Sequence, residues 1–247
     1  AYLTHPEILW IPVSMEEMLR VSGGAGLSQN EGVLSAKNLG FDKGATSDDL
    51  LFIGLQDMND KIKVFLYPTE VKTGNNDNSV IKKAVEQVSK TAEGFHNAFN
   101  PEDGDNQSIS AKVNRNFIMQ LLIISSKKMK VYHVDDSQDW DQVLEYYRNR
   151  LLNEDYEISN ELREILGKGS VLSFRKGLAT RTTSFKEDTI NFIEMPEQDE
   201  FGLILSSVGN IFEVINQEER NFKLVSEYDT SALTGDMSKL MISEFMN

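Results

Sequence analysis

Asp49, Glu70 and Lys72 are the residues of this chain whose types and spacing best suit chemistry on a phosphate. Two carboxylates can share a hard divalent cation through oxygen, with water and a phosphate oxygen completing the shell. A neighbouring lysine can orient the attacking water and offset negative charge. The run Glu70-Val71-Lys72 sets acid and base two residues apart, which on a strand is the same face. Such a grouping is electrostatically costly unless something uses it, so Mg²⁺ or Mn²⁺ is the expected cofactor, held by Asp49 and Glu70; the alternative is a solvated hairpin end carrying ordinary charges.

A β-hairpin must position these groups. Two runs rich in Leu, Ile, Val, Phe and Tyr, Ser47 to Gln56 and Lys61 to Lys72, flank the polar quartet Asp57-Met58-Asn59-Asp60, which reads as a four-residue loop. With Gln56 facing Lys61, Asp49 faces Pro68 and Ser47 faces Glu70. Asp49, Glu70 and Lys72 then emerge on one side of the sheet and Asp48 on the other. A single-residue bulge, for which Pro68 is a plausible cause, would bring Asp48 to the site instead. Beyond the hairpin, Thr73 to Asn78 reads as a polar turn and Ser79 as a helix N-cap, with Val80, Ile81, Ala84, Val85 and Val88 at helical spacing. Gln87 falls on the Val80-Ala84 stripe. It suits a supporting role in the site, and equally a glutamine at a packing boundary.

The chain has 247 residues, enough for one large domain or two small ones, and no cysteine, which excludes disulfides, thiolate nucleophiles and zinc-cysteine centres. An intracellular, cytoplasmic location follows as the simpler expectation. His5, His96 and His133 are far apart and lack metal-ligand spacing. No apolar run is long enough to span a bilayer and the start has no signal-peptide pattern, so no membrane association is expected. The chain begins at Ala1, which reads as a segment of a longer protein.

A net charge of −14 argues against a generic nucleic-acid binder, yet the bases are segregated. Lys112, Arg115, Lys127, Lys128 and Lys130 occur without an acid between Ala111 and Lys130, as do Lys168, Arg175, Lys176, Arg181 and Lys186 from Lys168 to Lys186. Each cluster suits an anion-binding surface or an ordinary solvated face, and Lys112 and Arg115 are the substrate-binding candidates. Neither Gly23-Gly24 nor Gly167-Lys168-Gly169-Ser170 completes a nucleotide P-loop, so any ATPase activity lies outside this segment.

Ser14 with Glu17 is a capping box opening a helix. Ile109 to Ser126 is a helix with Val113, Phe117, Leu121 and Ile124 on one face. Lys130 to Val134 is a strand. Asp139 opens a helix through Leu152, with Trp140, Val143, Leu144, Tyr147 and Leu151 apolar. Ser170 to Phe174, Thr189 to Ile193 and Gly202 to Ser206 are strands of an additional C-terminal β-rich layer, and Ser238 to Met246 is a short helix or tail. The expected architecture is α/β: a mixed central sheet flanked by helices over residues 1–166, with a β-rich elaboration over 167–247.

The order of parts, helix, strand opening on Asp49, turn, strand closing on Glu70-Val71-Lys72, then a helix carrying Gln87, resembles the PD-(D/E)XK nuclease superfamily over roughly Met15 to Phe99. In this chain the proline stands in Tyr67-Pro68, at the approach to Glu70, rather than beside the first acid. The resemblance implies that Asp49 and Glu70 hold the metal, that Lys72 positions or activates water, and that Gln87 supports the site. It also implies an acid on the preceding helix, for which Glu16, Glu17 and Glu31 are open alternatives. Lys37-Asn38-Leu39-Gly40, Ser47 to Leu51 and Pro68 to Lys72 further resemble the C-terminal part of DptH proteins, the translocase-like components of phosphorothioation-dependent restriction systems. That would imply a bacterial antiviral-defence complex acting on DNA with other subunits. The expected function is a Mg²⁺-dependent deoxyribonuclease; the alternative is an inactive nuclease-fold module for DNA binding or complex assembly.

Overall fold

The structure is a computed structural model, and it describes residues 8–15, 49–99, 109–131, 139–187 and 189–200. Seven strands form one mixed sheet: β1 (Ile8–Ser14), β2 (Leu50–Asp57), β3 (Ile62–Gly74), β4 (Tyr156–Ile158), β5 (Gly169–Arg175), β6 (Thr182–Lys186) and β7 (Ile190–Pro196). Their order is β1-β2-β3-β5-β7-β6, with β4 pairing β3. The first three strands run antiparallel, whereas β3 pairs β4 and β5 in parallel and β5 pairs β7 in parallel. Helices α1 (Asn78–Phe99), α2 (Ile109–Val131), α3 (Trp140–Leu152) and the short α4 (Arg163–Leu166) complete the described elements. The expected α/β fold with a mixed sheet flanked by helices is what is observed.

Strand parity decides which side chains meet the helices. Leu51, Ile53 and Leu55 of β2 and Ile62 and Val64 of β3 share one face with Ile11 and Val13, and bury against Phe95 and Phe99 of α1 and Ile118, Met119 and Leu122 of α2. Burying each such side chain contributes about 1.5–3 kcal/mol. Nearer the other end of β3, Ile81, Ala84, Val85 and Val88 of α1 pack on Val171, Ile190 and Phe192. The opposite face carries Ile8, Trp10, Phe52, Phe65 and Tyr67, covered by Leu166, and the Tyr67 hydroxyl donates to the Leu166 carbonyl at 3.0 Å.

Several expectations are corrected. The hairpin loop sits one residue later at each end: Gln56 faces Lys63 and Asp57 faces Ile62, and the turn closes with Met58 N–H donating to Lys61 O at 3.0 Å. Asn59 takes the left-handed conformation there, at φ 69°. The β2–β3 pairing runs without a bulge from Leu50↔Thr69 to Asp57↔Ile62. The N-cap of α1 is Asp77, not Ser79: its Oδ1 accepts the N–H of Ser79 at 2.8 Å and of Val80 at 3.0 Å. Of the face predicted for α2, Leu121 is buried and Phe117 half-buried, but Val113 and Ile124 are exposed. The true inner face includes Asn114, Ser125 and Ser126, whose polarity hid it from an apolar count; Ser126 is accommodated by donating to Ile123 O at 2.9 Å. Lys130 and Val131 continue α2 rather than opening a strand.

Asp139 caps α3 as expected, accepting from the N–H groups of Asp141 and Gln142. Strands β5 and β7 were also expected, but they do not build a layer of their own. They extend the sheet from β3, so residues on both sides of position 166 share it. Ser14 closes β1 and Met15 is the last described residue before the segment expected to be a helix. That expected helix, Asp48, the expected 202–206 strand and the 238–246 segment lie outside the described residues.

Candidate active site

At the end of β2 and β3 away from the hairpin turn, the core face of the sheet continues past its last apolar pair. One step beyond Leu50↔Thr69 the register sets Asp49 opposite Glu70. The two-step correction from the expected pairing leaves strand parity unchanged, so Asp49, Glu70 and Lys72 share the face on which α1 and α2 pack. On the other flank Met15 N–H donates to Asp49 O at 3.2 Å, tying the end of β1 to the same place.

Asp49 is exposed, and its Oδ2 accepts the backbone N–H of Val71 at 2.7 Å. That bond fixes the carboxylate beside Glu70. Glu70 is only 1% exposed. One of its oxygens, Oε1, is paired with Lys72 Nζ, and Oε2 has no hydrogen-bond partner among the described residues. Burial pushes the Glu70 carboxyl above its ordinary range; the Lys72 hydrogen bond opposes that rise and the charge of Asp49 adds to it. The Lys72 side chain stays about 28% exposed, so its ammonium is reachable from solvent.

Asn76 and Ser173 are two further residues here that sequence reasoning missed. Asn76 is buried, with φ 39°, and its Nδ2 donates to Lys72 O at 3.1 Å, Ser173 Oγ at 2.9 Å and Phe174 O at 3.1 Å. The two carbonyls can only accept, which fixes the amide orientation; its two hydrogens serve three acceptors. Lys72 and Ser173 are register partners across β3 and β5, so this one amide ties both strands together at the lysine. The available signal was turn chemistry: an asparagine tolerating the left-handed region inside Asn75-Asn76-Asp77-Asn78.

Gln87 is half-buried on α1, next to Val88. A Cβ built on Gly169 would lie 2.5 Å from Val88 Cγ1 and 2.5 Å from Pro68 O, so α1 crosses the sheet two residues from Glu70. Gln87 is the residue before Val88 at this crossing. Lys112 and Arg115 are not brought there. Arg115 donates to Phe99 O at 2.9 Å, at the C-terminus of α1, and lines a cleft with Lys61, Glu154 and Tyr156 at the hairpin-turn end of the sheet. The eight steps from Ile62 to Glu70 separate that end from the site by roughly 26 Å along β3. Glu16, Glu17 and Glu31 lie outside the described residues.

The site fits a divalent cation. Two adjacent carboxylates offer hard oxygen donors, and the buried, unpaired Oε2 of Glu70 is an acceptor that a cation would satisfy. Among the described residues no cluster of three or more His, Cys, Asp or Glu is present, so the donor set described is two carboxylates. The chain matches no family model, no curated protein and no solved structure. Among the described residues no helix is long and apolar enough to cross a membrane.

Proposed function

We propose that this chain is a metal-dependent phosphodiesterase domain of PD-(D/E)XK type acting on DNA. The observation that carries the reading is the convergence of Asp49, Glu70 and Lys72 on one face at the end of the core sheet, with one buried Glu70 oxygen lacking a partner. Asp49 and Glu70 would hold Mg²⁺ or Mn²⁺, which when bound polarises a phosphate oxygen and lowers the pKa of a water ligand. Lys72, anchored through Glu70 and through the Asn76 clamp on its carbonyl, presents positive charge where a phosphorane-like transition state gains negative charge. Gln87 stands as a supporting group from α1. The finer parts of the reading, a cytoplasmic bacterial restriction complex sensing phosphorothioation with further subunits, rest on the sequence resemblance alone.

The test is relaxation of supercoiled plasmid in Mg²⁺ by the full chain, wild type against Asp49→Ala and Lys72→Ala. Cleavage by the wild type that falls at least a hundredfold in both variants supports the reading; equal cutting by all three refutes it. A wild type that binds DNA but never cuts it supports the inactive binding or assembly module instead.

A further inference from the structure

Of the five bases from Lys168 to Lys186, three are committed where they stand. Lys168, at the opposite end of β5, pairs with Glu93 of α1 at 3.5 Å. Arg181 is buried against Asp199 through Nε and Nη2, and Lys186 lies 4.6 Å from the ring centre of Phe192. Arg175 and Lys176 remain, at the carboxyl end of β5, and the register carries that end to the candidate site. Ser173 stands opposite Lys72, and Arg175 opposite Gly74. Opposed positions share a face, as do positions two apart on one strand, so Arg175 stands on the face of Lys72 and Glu70. One strand across and two residues along sets its Cα roughly 8 Å from that of Lys72.

The backbone holds both residues in place. Lys176 N–H donates to Gly74 O at 2.8 Å, and Leu178 N–H closes a turn on Arg175 O at 3.4 Å over Gly177, whose φ of 76° suits that turn. Arg175 Nη1 donates to Glu194 Oε1 at 3.2 Å, and Glu194 is the register partner of Ser173 on β7, which aims the guanidinium from the same face. That bond uses one of the five N–H groups of the fork. The Arg175 side chain is 44% exposed, and its Nε and Nη2 have no partner among the described residues. Glu194 offsets the charge of Arg175, whereas Lys176 is exposed and its ammonium has no partner among the described residues.

We propose that Arg175 and Lys176 bind the DNA backbone beside the scissile phosphate. A DNA strand carries one phosphate per about 3.4 Å of helix axis, so a strand with its scissile phosphate at Lys72 sets a following phosphate within reach of an arginine ~8 Å away. The planar fork can meet phosphate oxygens through Nε and Nη2 while Nη1 stays on Glu194. The inference rests on the phosphodiesterase reading for its ligand, and gives these two residues the role expected of Lys112 and Arg115.

The probe is a fluorescein-labelled DNA duplex, read by anisotropy on the full chain in Ca²⁺, which takes hard oxygen ligands as Mg²⁺ does. Arg175→Gln and Lys176→Gln are compared with Lys61→Gln, the same change of charge on an exposed lysine at the hairpin turn. Each of the first two should weaken binding at least fivefold and reduce the slope of log K against log salt by about one. Lys61→Gln should shift binding less than twofold. In Mg²⁺, the first two variants should raise KM for cleavage and leave kcat in place. Equal binding by wild type, Arg175→Gln and Lys176→Gln would overturn the proposal, as would an equal loss in Lys61→Gln or no binding by the wild type. Weakened binding in the two variants of a chain that never cuts DNA keeps this proposal and removes the phosphodiesterase reading. Cleavage that needs Asp49 while both variants bind like the wild type does the reverse.

Discussion

Replacing Glu70 by glutamine tests whether this carboxylate is held in the sheet against its own preference. Glu70 is buried with one oxygen unpaired and the charge of Asp49 nearby. Glutamine keeps the length and still offers an oxygen to Lys72, but carries no charge to be desolvated or repelled by Asp49. Desolvating an incompletely paired buried group costs on the order of 1–3 kcal/mol, and more when it is charged, so the glutamine variant is expected to be more stable than wild type near pH 8. At about 2–4 °C per kcal/mol for a chain of this size, the gain is a few degrees in Tm. The sign with pH follows from a folded pKa raised above the ordinary value of 4.5. The wild type has its full stability below that value, where Glu70 is protonated, and loses it as pH rises through the folded pKa. The gap between the variants is therefore widest at high pH and closes toward pH 4. Mg²⁺ at about ten times its Kd should stabilise the wild type by roughly 1.4 kcal/mol and leave the variant unmoved. Differential scanning fluorimetry across pH, with and without Mg²⁺, reads all of this. A variant less stable than wild type at pH 8, or a gap that widens on acidification, would refute the reasoning.

Other perturbations bear on the scaffold. Arg150 reaches from α3 to the hairpin, donating to Asp57 Oδ1 at 2.9 Å, Asp60 O at 2.8 Å and Asp155 Oδ2 at 2.7 Å. Arg150→Ala should cost about 2 kcal/mol in urea unfolding, from charge-assisted hydrogen bonds to groups that stay partly hydrated; a loss below a few tenths would show the clamp to be idle. Gly169→Ala would drive a methyl against Pro68 O and Val88 Cγ1, each 2.5 Å away. It should destabilise by roughly 1–3 kcal/mol and, by shifting β3 beside Glu70, lower plasmid cleavage as well. Unchanged cleavage in a folded variant would separate the α1 packing from the site. Asn76→Gly, which tolerates the positive φ but removes the amide, should lower Tm by several degrees if the clamp joins β3 to β5, whereas an unchanged Tm would show that the backbone alone holds the turn.

The shared face of Asp49, Glu70 and Lys72 was legible in the sequence because parity is robust. The expected hairpin was misregistered by a two-step shift, yet strand alternation has period two, so Asp49, Glu70 and Lys72 stayed on one face. The α3 cap at Asp139 and the strands β5 and β7 were legible because local chemistry and apolar runs agree there. Failures came where tertiary context overrode local pattern. The outward stripe of α2 is more apolar than parts of the inward one, so counting hydrophobes chose Val113 and Ile124. The short β4 and the polar β6 owe their conformation to neighbours in the sheet rather than to their own residues. Arg115 looked like a surface base, but whether such a residue meets phosphate or caps a helix, as it does at Phe99, depends on contacts sixteen residues apart.

On the proposed reading, Asp49 and Glu70 together form a divalent-cation site. Its decisive test is to titrate the full chain with Mn²⁺ and follow free Mn²⁺ by electron paramagnetic resonance. The wild type should show a bound Mn²⁺ that is displaced by Mg²⁺ and lost in both Asp49→Asn and Glu70→Gln. Equal Mn²⁺ binding by the wild type and the two variants, or none by any of them, would contradict it.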